Sequence, residues 1–171
     1  MKLNNKQLKK INENGYIILS GCFSSKEVNN LRKEMKKVFK EKSEANIIEK
    51  SSGVVRTAMG LHLRSKIFNN LTRHPKFFEP ASQIIGHNLY IQQTKINIKA
   101  AFTGEVWQWH YDFATHFGED GVPKPLALNL HVYLDDVTEF NGPLFFIPKS
   151  HKYGSAPSKL DTVTTNYPLW V

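Results

Sequence analysis

Trp107-Gln108-Trp109-His110-Tyr111-Asp112-Phe113 sets a histidine and an aspartate one residue apart among aromatic neighbours. On extended backbone, side chains alternate with a period of two, so His110 and Asp112 are expected on one side of a strand, offering an imidazole and a carboxylate to the same ion. Two histidines and a carboxylate on one face of an ion, with the opposite face open, form the ligand set of non-haem Fe(II) oxygenases. The stretch supplies two such ligands, and the third is expected elsewhere. Alone, His-x-Asp is a weak motif, because two polar residues one apart recur by chance.

The surrounding segments alternate in the way half-buried strands do. Over Leu89 to Ile98, one face carries Tyr90, Gln92, Thr94, Ile96 and Ile98 and the other Leu89, Ile91, Gln93, Lys95 and Asn97, turning polar towards its end. Either this polar face lines a cavity or the strand is simply half exposed. Ala127 to Leu134 repeats the theme, with Leu128, Leu130, Val132 and Leu134 opposite Asn129, His131 and Tyr133. A further apolar strand, Leu144 to Ile147, is expected between Pro143 and Pro148.

The N-terminal part, residues 1–87, reads as mainly helical. A short helix containing Leu8 and Ile11 is expected to stop at Asn14-Gly15, followed by a strand over Tyr16 to Leu19. Ser24 with Glu27 three residues on is a capping box that opens the next helix. Glu41 to Gly53 is polar and irregular and is expected to be a mobile loop. Helical spacing returns over residues 65–86, where Pro75 and Pro80 are expected to divide helices or start turns, and Gly86 to end the last one. Helices first, then strands separated by Gly104, Gly121, Pro123 and Asn141-Gly142, indicate an α+β chain with a β-sandwich or jelly-roll core.

A length of 171 residues with 40% hydrophobic side chains suits one domain, 1–171, with a sizeable core. One cysteine, Cys22, excludes an intramolecular disulfide, and no apolar run is long enough for a membrane span or a leader, so the cytoplasm is the expected location. The net charge of +8 is concentrated early: residues 1–50 hold 12 Lys/Arg against 6 Asp/Glu. Lys33, Lys36, Lys37 and Lys40 lie opposite Val28, Leu31, Met35 and Val38, on a solvated face or one that meets an anionic partner. No aromatic residues interleave with that basic face, which argues against a single-strand nucleic-acid platform.

Gln93-x-x-x-Asn97, Trp109-His110-x-Asp112-Phe113, Asp120-Gly121-x-Pro123, Ala127-Leu128-Asn129 and Asn141-Gly142-Pro143-Leu144-x-x-Ile147-Pro148-x-Ser150-His151 together resemble the phytanoyl-CoA dioxygenase superfamily. Within it the chain is most similar to the branch of ectoine hydroxylases and hydroxylases of free amino acids. The resemblance implies a double-stranded β-helix (jelly-roll, cupin-like) core and an Fe(II)- and 2-oxoglutarate-dependent dioxygenase that uses O2 to hydroxylate a small molecule. It makes His110 and Asp112 iron ligands, gives Asn97 and Gln93 to 2-oxoglutarate, and makes Trp107 a pocket wall. Lys95 and Lys99 either attract the anionic co-substrate or face solvent.

Departures from that branch bear on the substrate. His116 stands where a tryptophan is usual, and Asn129 replaces a serine in the Ala-Leu-Ser run, so His116 and Asn129 are expected to face a polar or zwitterionic substrate such as a free amino acid or a derivative. The family also continues beyond the Ser150-His151 element to a second histidine ligand and an arginine that pairs with 2-oxoglutarate. Here no arginine follows Arg73, and His116, His131 and His151 do not occupy the ligand position. The expectation is an incomplete version of a longer enzyme whose C-terminal core strands are missing. The alternative is a natural short form that binds without catalysing, as a binding or regulatory module.

Overall fold

The computed structural model of the protein describes residues 1–50, 52–99 and 109–153. Helix α1, Asn5–Asn14, starts at a reciprocal cap between Asn4 and Gln7 and stops at Gly15, whose φ of 87° is the left-handed conformation glycine adopts without strain. Helix α2, Ser25–Val38, opens on the expected capping box, with Ser24 and Glu27 each bonding the other's backbone N–H. Tyr16 to Leu19, expected as a strand, lies in no ladder. Tyr16 instead stacks on Phe146, with ring centroids 5.0 Å apart.

The segment expected to be a mobile loop contains a strand. β1, Asn46–Ile48, pairs antiparallel with β2, Val55–Met59, and β2 pairs antiparallel with β3, Lys95–Asn97. Local pattern did not reveal β1, because it is three residues long and is held from its side chain: the Asn46 amide donates to the carbonyls of Val38 and Glu41, both at 3.0 Å. Arg64 donates to the same Val38 carbonyl at 3.2 Å and to Glu41 Oε2 at 2.7 Å. The Val38 carbonyl left over at the C-terminal end of α2 is thereby satisfied.

Beyond β2 come α3, Leu61–Arg64; α4, Lys66–Thr72; and α5, Pro75–Ile85. Pro75 sits at a helix start as expected, whereas Pro80 sits inside α5 rather than at a break. Pro80 and Ala81 are both buried, and this packing outweighs the backbone bond the proline cannot make. The core cluster is Leu31, Val38, Ala58, Leu61 and Phe68, with Ile96, Val132 and Leu134 packed against it. Each fully buried side chain of the leucine or phenylalanine class contributes about 1.5–3 kcal/mol.

The ladder of β3 is shorter than the Leu89 to Ile98 strand expected from alternation, because β2 offers few partners. Backbone bonds from Gly60 N–H to the Thr94 carbonyl and from Ile98 N–H to the Arg56 carbonyl, each 2.8 Å, extend it at both ends. Residues 127–134 and 144–147, also expected as strands, are not in ladders. Their alternation survives in part: Leu128, Val132 and Leu134 are partly buried, while Asn129, His131 and Tyr133 are exposed. Among the described residues the architecture is α+β, with one three-stranded antiparallel sheet in the order β1-β2-β3. No helix among them is long and apolar enough to cross a membrane.

Candidate functional site

His110 and Asp112 do not lie on one strand. Tyr111 is extended, at φ −127° and ψ 137°, and Asp112 is the first residue of α6, Asp112–Glu119, so the pair spans a corner where the chain turns from extended to helical. A carboxylate suits that place, since unpaired N–H groups and the helix dipole favour negative charge in a first turn. The corner still brings the two side chains together, with His110 Nε2 3.5 Å from Asp112 Oδ1. The His110 side chain is 59% exposed and that of Asp112 35%, so solvent reaches both.

Two segments distant in sequence, residues 129–133 and β3, approach this corner. The Asn129 amide donates to Asp112 Oδ2. The His131 imidazole, two residues on, is close enough to Asp112 to be drawn towards its charged form, while Lys95 opposes this from β3. Crowding by surrounding protein is the largest influence, and it pushes the imidazole below its ordinary value even though the ring keeps access to solvent. Tyr133, next along the same face, has its hydroxyl pushed up by burial.

On β3, Lys95 and Asn97 face outwards and Ile96 inwards, as the sequence alternation implied. Asn97 Oδ1 accepts a 3.0 Å bond from the hydroxyl of Thr57, its ladder partner on β2, and Thr57 is itself buried. Gln93 is exposed just before the ladder begins. His116 lies one turn along α6 from Asp112; its Nδ1 is 2.6 Å from Asp120 Oδ2, which also accepts from Gln92 at 3.2 Å. Trp107 lies outside the described residues.

His151 is elsewhere. Its Nε2 lies 3.0 Å from the Asn12 carbonyl at the end of α1, and its ring lies against Gly15. Residues missed from sequence are Thr57, whose hydroxyl holds Asn97, and His131, which faces the Asp112 corner. His131 had a signal, since it shares the polar face of Asn129. Thr57 had none, because its role depends on strand register.

The donor pair fits a metal ion. Adjacent donors on an octahedral ion with bonds of about 2.1 Å sit about 3 Å apart, close to the separation seen between His110 and Asp112. No third histidine, cysteine or carboxylate completes a cluster among the described residues. An α+β scaffold carrying an imidazole and a carboxylate at a polar, open corner defines a candidate metal-dependent enzyme domain.

Comparison with known proteins narrows that class. The family described as Phytanoyl-CoA dioxygenase (PhyH) matches residues 11–170, and the chain belongs to it. Ectoine dioxygenase of Bordetella bronchiseptica is 35% identical over 150 residues, covering 85% of this chain and 49% of its own. L-proline trans-4-hydroxylase of Streptomyces griseoviridis is 36% identical over 140 residues, covering 82% and 52%. The crystal structure of EctD from S. alaskensis with 2-oxoglutarate and 5-hydroxyectoine superposes with a TM-score of 0.67 at 28% identity, over 71% of this chain and 45% of that one. A second structure of EctD, with bound Fe, gives 0.63 at 26% identity over 67% and 42%. The chain spans about half the length of the curated relatives it matches.

Proposed function

We propose that residues 1–171 form one dioxygenase-like domain on a jelly-roll core, acting as an Fe(II)- and 2-oxoglutarate-dependent hydroxylase of a small polar or zwitterionic substrate, a free amino acid or a derivative. The observation that carries this reading is the approach of His110 Nε2 and Asp112 Oδ1 to 3.5 Å in a member of this family. Support for the cofactors comes from relatives: EctD has been crystallised with Fe and with 2-oxoglutarate. Support for the substrate class comes from the names of relatives that act on ectoine and L-proline.

In this reading His110 and Asp112 hold the iron. Asn97, kept in place by Thr57, and Gln93 face 2-oxoglutarate, and Lys95 supplies positive charge beside its carboxylates. Trp107, His116 and Asn129 face the substrate, where amide and imidazole groups match the charged ends of a zwitterion. When bound, iron and 2-oxoglutarate supply the oxidising chemistry, in which O2 places one oxygen atom in a substrate C–H bond and the other in succinate as CO2 is lost. The protein binds, orients and shields the reactants.

The test is to supply the purified chain with Fe(II), 2-oxoglutarate, air and a panel of free amino acids and compact zwitterions, and to measure succinate. The expected result is substrate-dependent succinate from the protein with any sequence that continues beyond Val171 included, lost in His110→Ala of that protein, and little or none from residues 1–171 alone. Equal formation by His110→Ala would remove His110 from the metal site. Uptake of iron and 2-oxoglutarate with no succinate from any substrate would favour the second reading, a non-catalytic binding or regulatory module on the same fold.

A further inference from the structure

We infer that Asn129 is a positioning residue that holds the Asp112 carboxylate in a one-oxygen orientation towards the metal. This rests on the reading of His110 and Asp112 as the ligand pair, and it makes the role of Asn129 more specific than a general contact with substrate. The two carboxylate oxygens are differently engaged. Oδ1 faces His110 Nε2, and Oδ2 accepts from the Asn129 amide. A carboxylate turning about its last torsion presents either oxygen, or both, to an ion; an N–H donor fixed on one of them leaves the other for the ion.

The placement of Asn129 in the fold suits it to this task. Asp112 starts α6, whereas Asn129 belongs to the alternating segment whose Val132 and Leu134 pack on the central core. Arg32 of α2 adds a 2.8 Å ion pair to Asp135 at the end of that segment. The amide therefore ties the carboxylate at the helix start to the part of the molecule anchored in the core. Reach matters as well: an asparagine carries its donor two bonds beyond Cβ and a serine only one. A serine on the same backbone would carry its donor one bond nearer the chain, so Asn129→Ser is expected not to make the same tie. Hydrogen bonds of this kind to metal ligands fix their orientation, and losing one weakens metal binding by about 10–100-fold.

The test uses the full chain with Co(II) as a redox-inert probe, titrated without 2-oxoglutarate or substrate and followed by its visible ligand-field spectrum. Asn129→Leu, similar in size but without a donor, is expected to weaken Co(II) binding by about 10–100-fold and to alter the spectrum, and Asn129→Ser to do the same. Asn129→Gln retains the donor and is expected to recover part of the affinity. Circular dichroism separates these effects from misfolding, and if the leucine variant does not fold, the serine variant decides. Co(II) affinity unchanged in folded Asn129→Leu and Asn129→Ser would overturn the inference and leave Asn129 as a substrate or co-substrate contact. Failure of the ligand-pair reading has a different signature: the wild-type chain takes up no Co(II), or His110→Ala binds it as tightly as wild type, and the inference falls with it.

Discussion

Residues 1–99 and residues 109–153 solve different problems with similar side chains. The first region holds nearly all of the buried hydrophobic side chains, with Ala58 at 0% and Val38 at 1% exposure, although Leu63 and Tyr90 stay on its surface, and polar groups brace the elements around that core. Glu27 accepts from both the Ser24 backbone and Lys76, Ser65 caps α4 while donating to Glu34, and Arg64 reaches α2, β2 and Glu41 at once. In the second region Phe140 is 79% and Leu126 68% exposed, and Ile147 is the buried hydrophobic residue among those described. Asp112, Asn129 and His110 of this region come together at one corner. A scaffold gains stability by excluding water, whereas a site must keep its donors reachable, and the two demands are met by different stretches of one chain.

That contrast can be broken by substitution. The largest effect is expected in the first region: Phe68→Ala empties part of the central cluster and should cost about 3–5 kcal/mol in chemical denaturation. A loss below 1 kcal/mol would mean that the cluster is not the stabilising core. Next comes the seam between the regions. Gly15→Ala forces a left-handed backbone on a residue with a side chain, costing about 1–2 kcal/mol, and drives its Cβ into the His151 ring. Thermal unfolding should show a clear destabilisation, smaller in a His151→Ala background where the collision is absent.

Smaller effects test the caps. Ser24→Ala removes one half of the α2 capping box and should cost about 0.5–2 kcal/mol, read from the same denaturation curves. Glu27 should appear in the pH dependence. The hydrogen bond from Lys76, followed by those from Ser24, holds its carboxyl at about 2, against an ordinary 4.5. A carboxyl lowered on folding stabilises fully above its unfolded value, and that contribution is lost as pH falls through about 2. Glu27→Gln should therefore flatten the acid limb of stability against pH below about 4.5; an unchanged limb would remove Glu27 from the account. The smallest effect on folding is expected at the site itself, where the exposed side chain in His110→Ala should shift stability by no more than about 0.5 kcal/mol. A large loss there would dissolve the separation of scaffold from site.

Signals that act over a few residues were readable before the fold was known. Ser24 and Glu27 mark the start of α2 because both halves of the cap lie within one turn, and Gly15 marks the end of α1 because a left-handed stop suits glycine. Alternation correctly placed Ile96 inside and Lys95 and Asn97 outside, since a period of two is inherent in extended backbone. The same alternation overstated the strands at 127–134 and 144–147, because a ladder needs a partner as well as a pattern. Pro80 was expected to break a helix on local grounds, and burial overrode it.

The candidate site divides along the same line. Its chemical inventory, the imidazole of His110, the carboxylate of Asp112 and the amides of Asn97 and Asn129, was determined by sequence, because the identity and spacing of donors are written in the chain. Their mutual arrangement was decided only by the tertiary structure. Asp112 begins a helix instead of extending a strand, Asn129 binds it from 17 residues away, Thr57 holds Asn97 across a ladder, and His151 reaches back to the end of α1. The physical reason is range: caps, turns and alternation are settled by atoms within a turn or two of one another, while a hydrogen bond between distant residues depends on packing and register, which local pattern does not contain.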